Sequence, residues 1–119
     1  MAVVFSKITA IRESDKETKT FLARGIPKSF DDLEMYSAMD EILDDIDEDT
    51  TITIQTESYI YGDAKRYEAS FEELAYMEIR MSRDELFLEN HCRKVEEDVF
   101  CIEYAPDELF QRALGVIEC

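Results

Sequence analysis

The chain has no tryptophan, three glycines, two prolines, one histidine and three cysteines. It also has no lysine or arginine for 36 consecutive residues, from Ser29 to Ala64. Each scarcity narrows what the protein does. Gly25, Gly62 and Gly115 stand in no phosphate-cradling pattern, which argues against a glycine-rich nucleotide loop. His91 has only Asn90 and Cys92 beside it. Neighbours along a strand point to opposite faces, so these residues predict neither a zinc site nor a cysteine nucleophile. An odd, scattered set of Cys92, Cys101 and Cys119 is not the even framework of a small secreted domain. The opening MAVVFSKI lacks a basic leader segment, and its apolar run breaks at Ser6 and Lys7. No stretch reaches the roughly 20 apolar residues of a membrane span. A reducing, cytoplasmic setting is the expectation.

What the chain does contain is acid. Against thirteen lysines and arginines stand twenty-nine aspartates and glutamates, a formal net charge of −16 in 119 residues. That charge opposes compaction, and it excludes direct binding to nucleic-acid phosphates or anionic lipid as the default role. Yet 45% of the residues are hydrophobic and 11% aromatic, enough apolar material to offset the ordering entropy of one domain spanning residues 1–119. The imbalance is local. Residues 1–28 carry six cations and three acids, residues 29–64 twelve acids and no cation, and residues 65–119 seven cations and fourteen acids.

Periodicity predicts an α+β fold. Val3 to Ile11 and Thr18 to Ala23 read as a hairpin of strands. Ser29 and Asp32 stand at capping spacing before a helix that runs to Ile46, with Met35, Tyr36, Met39, Ile42, Leu43 and Ile46 within an arc of about 120°. Glu34, Asp40, Glu41, Asp44, Asp45 and Glu48 occupy its other side. Thr51 to Tyr61 alternates as a strand, with Glu57, Tyr59 and Tyr61 on its less apolar face, and Gly62 with Asp63 turns the chain back into KRYEASF. Ser70 and Glu73 match a capping box for a short helix over 72–76. AYMEIRMS then alternates as a strand, although its Glu, Met and Arg also favour helix. ELFLENHC and DVFCIEY read as further strands, and APDELFQRALGVIE as a closing helix with Pro106 in its first turn. The expected architecture is an antiparallel β-sheet of five to seven strands with two helices, one strongly acidic and one C-terminal, packed on one face.

The stretch MDEILDDIDEDT poses the functional question. Like charges four apart and acids near a helix C-terminus each cost a few tenths of a kcal/mol or more, so helix formation does not explain them. A calcium loop begun at Asp45, Asp47 and Asp49 fails, because Thr50 stands where the turn needs Gly and Thr56 where a bidentate Glu belongs. No metal or other cofactor is expected. With so many acids no catalytic carboxylate pair can be singled out, and no enzyme is expected.

The remaining explanation is a cationic partner. If helical, the ten acids from Asp31 to Asp49 span about 28 Å, one charge per roughly 2.8 Å. Duplex DNA carries one per roughly 1.7 Å. Such a surface suits the basic site of a nuclease, a restriction enzyme or a CRISPR-type complex. Glu34, Asp40, Glu41, Asp44, Asp45, Asp47, Glu48 and Asp49 would supply the field, and Glu57, Tyr59 and Tyr61 the contact beside it. In size and charge alone the chain resembles the small acidic antagonists known as immunity, anti-restriction and anti-CRISPR proteins. The resemblance implies inhibition of a basic, nucleic-acid-handling protein, in an oligomeric state the sequence leaves open. The alternative is an assembly adaptor that binds through a sheet edge or the tyrosine face, with charge serving solubility.

Overall fold

The computed structural model describes residues 2–44, 46, 50–62, 65–105 and 113–117. In chain order these form β1 (Ala2–Arg12), β2 (Thr18–Arg24), α1 (Phe30–Glu34), α2 (Ala38–Asp44), β3 (Thr51–Tyr61), β4 (Arg66–Glu68), α3 (Phe71–Arg83), α4 (Phe87–His91), β5 (Cys92–Ala105) and β6 (Ala113–Ile117). The fold is α+β. Five strands form an antiparallel sheet in the order β2-β1-β3-β5-β6, and β4 adds to β1 in parallel. The chain divides into two compact units. Unit 1 comprises Met1–Ile8, Phe21–Pro27 and Thr56–Glu97, and unit 2 comprises Thr9–Thr20, Lys28–Gln55 and Asp98–Cys119.

In unit 1 the turn after Tyr61 does not fold KRYEASF back onto β3. β4 instead lies beside β1, with Arg66 opposite Ala2 and Glu68 opposite Val4. The backbone shows why that place is open. Gly25 takes φ +73°, a left-handed conformation that suits glycine, and ends β2 there. The Val4 carbonyl accepts from Gly25 N–H at 3.2 Å and also from Ala69 N–H at 3.0 Å, so β4 takes over the edge of β1 where β2 stops. Arg24 Nε locks the junction by donating to the Ala69 carbonyl at 2.7 Å.

The strand expected over 75–81 is helix α3. Ser70 caps it through a complete capping box, with Ser70 Oγ accepting from Glu73 N–H at 3.2 Å and Glu73 accepting from Ser70 N–H at 3.0 Å. Glu72 and Glu73 in the first turn and Arg80 and Arg83 in the last complement the helix dipole. Leu74 and Met77 are buried, whereas Ile79, which the strand reading puts inside, is 49% exposed. ELFLENHC is also not a strand. Asp84 accepts from Leu86 N–H at 3.0 Å and turns the chain into α4, where consecutive Phe87 and Leu88 are both buried, which alternation does not allow. Val3, Phe5, Tyr59, Ala69, Leu74, Met77, Phe87 and Leu88 make the core of this unit. Ser6 and Ser58, both buried, satisfy one another at 2.7 Å, and Ser6 Oγ donates to the Gly25 carbonyl at 2.6 Å.

In unit 2 the single long helix is two short ones. Between α1 and α2, Met35 and Tyr36 donate three residues back, to Asp32 and Leu33, and Met39 and Asp40 do the same to Tyr36 and Ser37. These tight turns rotate Met35 out of the apolar stripe, leaving it 83% exposed. Leu33, Met39, Ile42 and Ile46 are buried. Burying Met39 and Ile42 contributes about 1.5–3 kcal/mol each, against a few tenths for the Asp40–Asp44 repulsion, so packing holds α2 in place despite its charge.

The C-terminal helix is also corrected. Ala113–Ile117 is a strand paired antiparallel with β5, Cys101 opposite Ile117 and Ala105 opposite Ala113. The rest of that expected helix, residues 106–112 and 118, lies outside the described residues. The helices therefore number four among the described residues, and the pair packed on one face is not found.

Candidate functional site

The acidic segment starts at Ser29, whose hydroxyl accepts from Asp32 N–H at 3.3 Å, while the Asp32 carboxylate accepts from Lys28 N–H at 2.8 Å. These two bonds start α1. Beyond them Asp31, Asp32, Glu34, Asp40, Glu41 and Asp44 are all exposed. Neither helix has a basic residue in its last turn. Among the described residues no ion pair ties Asp31, Glu34, Asp40 or Glu41 to a lysine or arginine. Asp45, Asp47, Glu48 and Asp49 lie outside the described residues.

Several cations are paired away from this segment. Arg12 holds Asp15 at 2.7 Å and also pairs with Glu17. This hydrogen bonding takes the Asp15 carboxyl down to about 2. Lys16 pairs with Glu13, whose other oxygen accepts from the Thr53 hydroxyl at 2.7 Å, and both bonds lower the Glu13 pKa. Arg24 stands 3.4 Å from Glu68, and Lys94 3.1 Å from Glu97. Beneath α2, the void walled by Ala10, Arg12, Ile42 and Ile52 is about 20 Å³, room for a water at most.

The tyrosine face is not an exposed anchor. Tyr59 is only 7% exposed and stacks on Phe5 with ring centroids 5.9 Å apart. Its hydroxyl donates to Glu57. Burial first, and this bond second, raise the phenol pKa far above its ordinary value. Tyr61 is half-buried with its ring 5.8 Å from Phe87. Glu57 and Tyr59 are thus brought together, but as part of unit 1's packing. The missed signal was α3, whose Leu74 and Met77 need an apolar surface and find it on this cluster.

The residues read as scattered polar positions do converge. Asn90, His91 and Cys92, at the junction of α4 and β5, border one open cleft of about 540 Å³ together with Arg66, Arg93 and Gly62. Arg80 donates to the Tyr76 hydroxyl at 2.7 Å and lies 4.6 Å over the Phe87 ring. Cys92 is a free thiol whose pKa burial pushes up to about 11, which keeps it protonated and poorly nucleophilic near neutral pH. Cys101 is disulfide-bonded, contrary to a uniformly reduced set. Among the described residues no three histidine, cysteine or acidic side chains converge as a metal site, and no helix is long and apolar enough to cross a membrane. No protein-family model, curated protein or solved structure matches this chain.

Proposed function

We propose that this is a small acidic binding protein that inhibits a nucleic-acid-handling partner, a nuclease, restriction or CRISPR-type complex, by occupying its basic site. The supporting observation is the exposed, unbalanced acid of α1 and α2, where Asp31, Glu34, Asp40 and Glu41 have no ion pair among the described residues. A carboxylate surface that its own chain leaves uncompensated attracts a cationic partner at long range, and the field speeds encounter. The bend at Met35–Ser37 replaces the straight charged rod with two short acidic segments. The mechanism is therefore field and steric cover, with no imitation of a regular helical phosphate spacing. With Tyr59 buried, this reading and the adaptor reading both lose it as an anchor, and the acids carry the proposal alone.

The test is capture from the native host's lysate on immobilised protein at low and high salt, with the retained proteins identified. Basic nucleic-acid enzymes held at low salt and released at high salt support the reading. Retention of the same partners at both salts, or of none that handles nucleic acid, overturns it.

A further inference from the structure

At one end of unit 1 the antiparallel strands bring the start of β1, the end of β3 and the start of β5 together, and β4 sets Arg66 opposite Ala2. The cleft described above lies there. Acids make up 29 of the 119 residues, so a lining of this size drawn at random would include about two; among the described residues this one has none. Arg66 and Arg93, both exposed, have no ion pair with any described carboxylate, unlike Arg12, Lys16, Arg24 and Lys94. Cys92 adds no negative charge, since its thiol stays protonated. Among the described residues the lining of this cleft is cationic, in a chain of net charge −16.

The chemistry of the lining selects a ligand. Any anion meets the long-range repulsion of the whole molecule in proportion to its charge, so a bound one must gain from short-range bonds. A phosphate offers several oxygens to two guanidinium forks, and these short charge-assisted bonds act well within a screening length. The volume of about 540 Å³ is far more than a bare phosphate fills and lies in the range of small-molecule sites. Asn90 brings both a donor and an acceptor, and His91 an imidazole whose ring sits 5.3 Å from Phe87. Those groups suit the edge of a base or a sugar hydroxyl. We propose that this cleft binds a nucleotide-class organic phosphate, with Arg66 and Arg93 holding the phosphates and Asn90 and His91 contacting the nucleoside. It needs no glycine-rich loop, and it stands independently of the acidic-surface reading.

The experiment is isothermal titration calorimetry of the full chain at low salt with ATP, inorganic phosphate and adenosine as separate probes. ATP should bind one to one, more tightly than phosphate or adenosine. The double substitution Arg66→Gln and Arg93→Gln should weaken ATP by roughly tenfold or more, as the loss of a charge-assisted bond implies. Arg83→Gln, on an exposed arginine outside the cleft, should leave ATP affinity unchanged. His91→Ala should weaken ATP more than phosphate, and serves as the second variant if the double one melts early. Absence of ATP binding, equal binding by a folded double variant, an equal loss in Arg83→Gln, or phosphate binding as tightly as ATP would each overturn the proposal.

Discussion

Replacing Tyr59 with alanine separates a core residue from an interface anchor. The ring is 7% exposed, stacked on Phe5, and part of the cluster formed with Leu74, Met77 and Phe87. Truncating a buried aromatic costs about 3–5 kcal/mol, whereas an exposed one changes folding stability by about 0.5 kcal/mol or less. For a domain whose total stability is about 5–15 kcal/mol, the first figure is a large fraction of the whole. Tyr59→Phe keeps the ring and removes only the bond to Glu57, at about 1 kcal/mol. Urea denaturation with both variants reads the difference. Alkaline pH adds a second reading. A phenol whose folded pKa lies above its unfolded value of 10.0 stabilises the fold fully below pH 10 and loses that contribution as pH climbs through the folded value. Parent stability should therefore fall above pH 10 by up to about 1.4 kcal/mol per pH unit from this group, and Tyr59→Phe should remove that slope. A Tyr59→Ala midpoint close to the parent's would refute the burial on which this reasoning depends.

Three further outcomes follow from the packing. Met77→Ala should cost about 2–5 kcal/mol in chemical denaturation and Ile79→Ala about 0.5 or less; the reverse order would restore the strand reading of this segment. Ser70→Ala should lower stability by about 1 kcal/mol through loss of the capping box, and Ser70→Asp should recover most of it; equal stability of all three would mean the cap contributes nothing. Cys92, raised from 9.0 to about 11, stabilises the fold below pH 9 and loses that contribution between those values, so Cys92→Ala should flatten stability there.

The strands with clean alternation or β-branched runs were legible. β1, β2 and β3 match their expected spans to within a residue, and Ser29 opens a helix as its spacing indicates. Local signals failed where two periods fit the same residues. In AYMEIRMS, Met77 is inward in either reading, and only Ile79, outward in α3, distinguishes them. The ALGVI run was legible only through its pairing with β5, which no local pattern encodes. The acids of α1 and α2 were legible because charge needs no partner to be counted. The burial of Tyr59 was not legible because α3, whose Leu74 and Met77 share its cluster, runs well past the 72–76 helix that the capping box indicates. The cleft residues were hidden for a related reason, since Arg66 reaches the cleft that Arg93 lines through the parallel pairing of β4 with β1.

The most direct test takes an enzyme captured from the host and measures its affinity and inhibition across a salt series. The parent is compared with the fourfold neutral variant Asp31→Asn, Glu34→Gln, Asp40→Asn and Glu41→Gln, once its melting curve matches the parent's. The account predicts that parent affinity falls steeply with salt, and that the variant binds at least about tenfold more weakly at low salt, with a shallower salt dependence. A folded variant that binds and inhibits as well as the parent at every salt would contradict it.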